Sequence, residues 1–177
     1  MDLQNRRGGV LEWAVVYEAD SEKRRWLLKA IREAAGELYS QFVGVSEAGL
    51  RWRPAPDEWC LKEVAAHIRD AESLFRRQIE LIARNRNPAL PHEALDVLPA
   101  EHDYTGEPLS KLLHEYAEAR EETTWLLRML DEVDWERCGI HPYRGRISVY
   151  DIAREIHEHD LEHLWQARRL REGALLL

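Results

Sequence analysis

Three histidines near the C-terminus, His157, His159 and His163, read His-x-His-x-x-x-His. On a helix, residues i and i+4 lie one turn apart on one side, so His159 and His163 project together while His157 points away. Two imidazoles one turn apart can reach a single metal ion, which is why the spacing recurs in metal sites. A pair alone has a bland alternative, since the chain holds eight histidines. His67 adds to it. It lies in an apolar stripe between Val64, Ile68 and Ala71. Alone there, it reads as a core residue with a satisfied hydrogen bond. Should it meet the pair in a core, three neutral imidazoles would need something to satisfy their nitrogens, and a metal ion does that. A three-histidine set also leaves coordination positions for water or substrate, as catalytic sites do.

The polar neighbours extend this reading. Asp160 sits near the centre of the inward stripe of the last helix. It reads either as an acceptor orienting a ligating histidine or as a buried partner of a Trp or Tyr. Gln166, a short turn after His163, and Gln78, three turns after His67, could donate to a ligand or line the cavity, or simply be polar packing residues. His92, His102, His114 and His141 are assigned to loops and outer faces.

Helical elements must position these groups. Pro and Gly cluster at Pro54–Pro56, between Pro88 and Pro108, and at Gly139–Gly145. Between the clusters the apolar residues recur at three- and four-residue steps. The spacing predicts a first helix from Asp20 or Ser21 to about Val43, and a second from about Asp57 to Asn85. A third runs from about Pro108 to Val133. A fourth starts at Ser148, where Ser148 and Asp151 form a variant capping box, and continues to about Arg171. No window alternates as a strand does; Arg144–Val149 could be extended but lacks an obvious partner. The expected architecture is all-α: a single domain built as a four-helix bundle over about residues 20–172, with residues 1–19 as an N-terminal extension. The long linker between helices 2 and 3, Arg86–Glu107, suggests a crossover.

The stretch WRPAPDEWCLKEVAAHIRDAE, Trp52 to Glu72, resembles the second-helix signature of the DinB/YfiT-like superfamily, and HDLEHLWQ, His159 to Gln166, resembles its fourth-helix signature. The resemblance spans roughly residues 20–172. It implies a four-helix bundle whose divalent metal is held by one histidine of helix 2 and two of helix 4, here His67, His159 and His163. Relatives include bacillithiol-using thiol S-transferases and the mycothiol-dependent maleylpyruvate isomerase, which implies a low-molecular-weight thiol as a candidate cofactor. The sequence departs from the family at Cys60, where Ser or Thr is usual. Cys60 reads as a small buried residue, since no histidine lies close in sequence to activate it.

Composition narrows the function classes. The 177 residues carry a net charge of −8, so nucleic acid is not an expected partner. No apolar run reaches the roughly 18–20 residues of a membrane span. Two cysteines make no disulfide framework. Together these predict a soluble, reduced, cytoplasmic domain with no membrane partner. The charge run Glu118, Arg120, Glu121 and Glu122 reads as a solvated face, and Arg168, Arg169 and Arg171 suit the negative end of the last helix. Three functions stay open. The first is a metal-dependent enzyme activating a thiol or water against a small electrophilic substrate. Its metal would be zinc or nickel ahead of manganese or iron. The second is a non-catalytic metal-binding or stress-response bundle. The third is a metal-free dimerisation module, which Trp13, Trp125 and Trp165 off the core stripes would serve. Homodimerisation is compatible with all three.

Overall fold

The computed structural model describes residues 8–176 apart from 98, 100 and 101. Residues 1–7 of the expected extension, and the side chain of Trp13, lie outside the described residues. Among the described residues there are six α-helices: α1 (Gly8–Ser40), α2 (Glu47–Arg51), α3 (Leu61–Arg84), α4 (Leu109–Met129), α5 (Glu132–Trp135) and α6 (Val149–Ala174). Two short strands, β1 (Cys138–His141) and β2 (Gly145–Ser148), precede α6. The long helices α1, α3, α4 and α6 form the bundle. Among the described residues no helix is long and apolar enough to cross a membrane.

Two expected boundaries move. Helix α1 begins at Gly8 rather than after Asp20, because no Pro or Gly interrupts the run from Val10 and a capping residue alone does not stop a helix. Helix α3 begins at Leu61 rather than Asp57. Pro54 and Pro56 sit in a turn closed by the Glu58 N–H on the Ala55 carbonyl (3.0 Å), and the Cys60 N–H donates to Glu63 Oε2 at 2.8 Å, which closes the helix start. The expected cap of α6 is present: the Asp151 N–H donates to Ser148 Oγ (3.1 Å) and the Ser148 N–H to Asp151 Oδ2 (2.9 Å).

The core shows how the helices run. Leu38, late in α1, clusters with Leu61 and Val64 at the start of α3, Leu112 at the start of α4 and Leu170 late in α6. Leu27 and Ile31 cluster with Ile79 and Ile82 late in α3, Leu127 late in α4, and Val149 and Ile152 at the start of α6. Helices α1 and α6 therefore run one way and α3 and α4 the other. Helix α3 packs on α4 and α6, and α1 packs on α6 and α4, so α1 and α3 stand on a diagonal. Because α3 and α4 are parallel, the chain must return along the whole bundle between them, which is the physical reason for the long crossover.

Side chains of α3 pin that crossover. Gln78 Nε2 donates to the Pro91 carbonyl (2.8 Å), and the Tyr104 hydroxyl donates to Asp70 Oδ2 (2.9 Å). The buried Lys62 donates to Glu47 Oε1 (2.6 Å) and to the Thr105 carbonyl (3.0 Å), joining α2 and the crossover to α3.

The strands correct the expectation that Arg144–Val149 has no partner. Strands β1 and β2 pair antiparallel, Cys138 opposite Ser148 and His141 opposite Gly145. The crossover runs alongside: the Ile140 N–H donates to the Pro88 carbonyl (2.7 Å) and the Leu90 N–H to the Ile140 carbonyl (2.9 Å). Four-residue strands are too short to show a period, and the third partner comes from a segment distant in sequence. His141, expected on the surface, is buried here, with its Nδ1 accepting the Tyr143 and Arg144 N–H groups at 3.3 Å each.

Candidate metal centre

Helix α3 carries His67 on the face that meets α6, and α6 presents His159 and His163 one turn apart. The structure brings these three together. Their donor nitrogens all lie within 4.8 Å of one another. His67 Nε2 and His159 Nε2 are 2.9 Å apart. His67 and His163 are buried and His159 half-buried. Zinc–nitrogen bonds of about 2.0–2.1 Å place tetrahedral ligand nitrogens roughly 3.3 Å apart, so the cluster has the scale a single ion requires. The donor set fits too: three imidazoles hold a transition metal as neutral ligands and leave at least one position open.

Electrostatics keep a donor available. Burial first, then the fields of His163, His67 and Arg120, push the His159 imidazole down from its ordinary 6.5 to about 2. At neutral pH it is uncharged, with a lone pair to offer. The tautomer of His163 is set locally, where its Nδ1–H donates to Gln166 Oε1 at 2.8 Å. That leaves Nε2 as the ligating atom. Gln166 thus contacts the cluster through His163.

Aromatic rings wall the cluster. Trp59 lies over His67 with ring centroids 4.9 Å apart, and nearly parallel to His163 at 2° and 6.2 Å. Phe75 meets His159 edge-on at 5.6 Å. Neither ring was singled out from the sequence. The available signals were the position of Trp59 just ahead of the start of α3 and that of Phe75 about two turns after His67.

Gln78 and Asp160 make their hydrogen bonds to other parts of the chain. Gln78 binds the crossover, about 16 Å along α3 from His67 at 1.5 Å per residue. Asp160 accepts from Arg120 through both carboxylate oxygens. Arg120 itself corrects the sequence reading: it is only 6% exposed, not part of a solvated face. Its guanidinium binds Asp160 Oδ2 (2.6 Å) and Oδ1 (2.9 Å), Glu72 Oε2 (2.9 and 2.7 Å) and the Ile31 carbonyl (3.1 Å). Burial opposes the Arg120 charge, but Glu72 and Asp160 outweigh it and hold the group well above its ordinary value. Burial raises Asp160, and Arg120 opposes that rise. His157 points away from the cluster, against the edge of Trp26 at 5.5 Å. Cys60 is buried, and burial raises its thiol, which leaves it a poor nucleophile.

A bundle of four long helices with a buried three-histidine cluster able to hold a metal ion defines the class. The family model of the DinB superfamily matches residues 30–167, and the chain belongs to that superfamily. Protein YuaE of Bacillus subtilis (strain 168) is 24% identical over 161 residues, covering 82% of this chain and 97% of YuaE. The solved structure of YfiT from Bacillus subtilis superposes with a TM-score of 0.78 at 18% identity, covering 86% of this chain and 87% of YfiT. YfiT is described as a probable metal-dependent hydrolase with an unusual four-helix bundle topology.

Proposed function

We propose that this chain is a divalent-metal enzyme that activates water or a small thiol for attack on an electrophilic small molecule. The observation that carries the reading is the meeting of His67, His159 and His163, with donor atoms within 4.8 Å, in a bundle core. Zinc or nickel suits three imidazoles best, with manganese and iron behind. A bound ion would supply acidity to a coordinated water or thiol, making a nucleophile near neutral pH. The chain's residues do the rest. Gln166 holds His163 in the tautomer that presents Nε2. Trp59 and Phe75 keep bulk water from the imidazoles and give an apolar body a surface to lie on. Cys60 is buried with a raised thiol, so it does not serve as the attacking group.

The description of YfiT as a probable metal-dependent hydrolase supports hydrolysis, with water as nucleophile. Thiol transfer is the second arm of the same screen. The test is elemental analysis of untagged protein, before and after loading with zinc, nickel, manganese or iron, beside His163→Ala. About one ion per chain, lost in the variant, is the expected result. The loaded protein is then assayed for hydrolysis of activated esters and amides, and for thiol conjugation to an electrophile. A parent that holds none of the four metals overturns the reading. A loaded protein active in neither arm favours a non-catalytic metal-binding bundle.

A further inference from the structure

Beside the histidine cluster lies a second buried polar group, Glu72, Arg120 and Asp160, which the proposed chemistry does not use. All five guanidinium N–H donors of Arg120 are engaged: Nε and Nη2 on Glu72 Oε2, Nη1 and Nη2 on the two oxygens of Asp160, and Nη1 on the Ile31 carbonyl. Arg120 belongs to α4, Glu72 to α3, Asp160 to α6 and Ile31 to α1. One side chain thus ties together all four long helices of the bundle. Apolar clusters lie at either end, and the Tyr116 ring packs against the guanidinium at 5.2 Å.

Stability alone does not explain this. Taking three charges out of water costs more than a well-packed apolar trio would, and apolar replacements of buried ion groups are often neutral or stabilising. Here the mismatch is larger, because two carboxylates share one cation and Glu72 Oε1 is buried without a hydrogen bond. What the ions supply is direction. A guanidinium fork gripping both oxygens of a carboxylate accepts one geometry, whereas apolar contacts tolerate slippage and repacking. Asp160 follows His159 directly and precedes His163 by one short turn, and Glu72 follows His67 by about a turn and a half. Holding Asp160 and Glu72 to the same guanidinium therefore holds the rotation and height of α6 against α3. A helix turned by one residue swings its side chains by about 100°, which would carry His159 and His163 off His67.

We propose that the Glu72–Arg120–Asp160 group is the positioning device of the histidine centre, retained for the geometry of the three imidazoles rather than for stability. The proposal rests on the metal reading above. Metal sites need ligands held within about 0.5 Å, and the fork is the feature of this core that sets α6 on α3 to that precision.

The test uses the 177-residue chain and cobalt(II), whose visible absorption reports coordination geometry. The apolar variant Glu72→Leu/Arg120→Met/Asp160→Leu is compared with the parent. The expected result is unchanged far-UV circular dichroism and a melting temperature at or above the parent's. Cobalt affinity should fall at least tenfold, with a changed absorption band. Arg120→Lys keeps the charge but loses the fork, so an altered cobalt spectrum there reports geometry and not a lost field. If the apolar variant does not fold, Arg120→Lys decides alone. Cobalt affinity within twofold of the parent, with the parent's spectrum, in either folded variant overturns the proposal. His163→Ala separates the two failures: a parent that binds no more cobalt than this variant sinks the metal reading itself, and the positioning role with it.

Discussion

Acidifying the metal-free protein should weaken it through His159. Its imidazole titrates at about 2 in the fold against 6.5 ordinarily. Between those values the unfolded chain carries a proton there and the native chain does not. Acid therefore favours unfolding: the contribution is fully present above about pH 6.5 and is lost as the pH falls toward 2. One such group changes stability by up to about 1.4 kcal/mol per pH unit, so the drop from pH 7.5 to 5.5 amounts to about 1.4 kcal/mol. For a domain of this size that is a fall of roughly 3–6 °C in melting temperature. The assay is urea unfolding followed by circular dichroism, in chelator, at half-unit steps of pH. His159→Gln keeps a polar side chain that cannot titrate, so the difference between parent and variant isolates this group. The parent should lose about 1.4 kcal/mol more than the variant over that window. Parallel curves, or a parent that gains stability on acidification, would refute the reasoning.

Three further outcomes can be checked on purified protein. Gln166→Leu removes the acceptor that fixes the His163 tautomer, and zinc affinity measured against a chromogenic chelator should fall about 10–100-fold with the fold intact. Arg120→Met alone strands two buried carboxylates and should cost about 3–5 kcal/mol in chemical denaturation, whereas the apolar triple replacement should not. The Trp52 ring lies where a side chain on Gly173 would go, so Gly173→Ala should lower stability by about 1–3 kcal/mol, read by thermal unfolding.

Much of the site was readable along the chain because its information is local. The four-residue step between His159 and His163 places them on one side of α6 whatever surrounds the helix. Ser148 and Asp151 cap that helix with atoms three residues apart. The apolar stripes of α3, α4 and α6, and the long gap between α3 and α4, were enough for a bundle with a crossover. Other residues misled for want of neighbours. Arg120 sits among Glu118, Glu121 and Glu122 and looks solvated, yet it falls in step with Tyr116, Thr123 and Leu127, which are buried. Gln78 shares the stripe of His67 but meets the crossover, because that segment lies over the far half of α3.

The amino-acid sequence by itself thus determined the helices, their inward faces and the imidazole pair, since each depends on a period of 3.6 residues and on caps within one turn. Only the tertiary structure decided that α3 stands beside α6 and across from α1, which is what delivers His67 to the pair. The same packing placed Trp59 over the imidazoles, gave Asp160 to Arg120 instead of to a histidine, and paired β1 with β2 and the crossover. Those contacts join residues tens of positions apart, and the orientation of one helix against another is set by the whole core together.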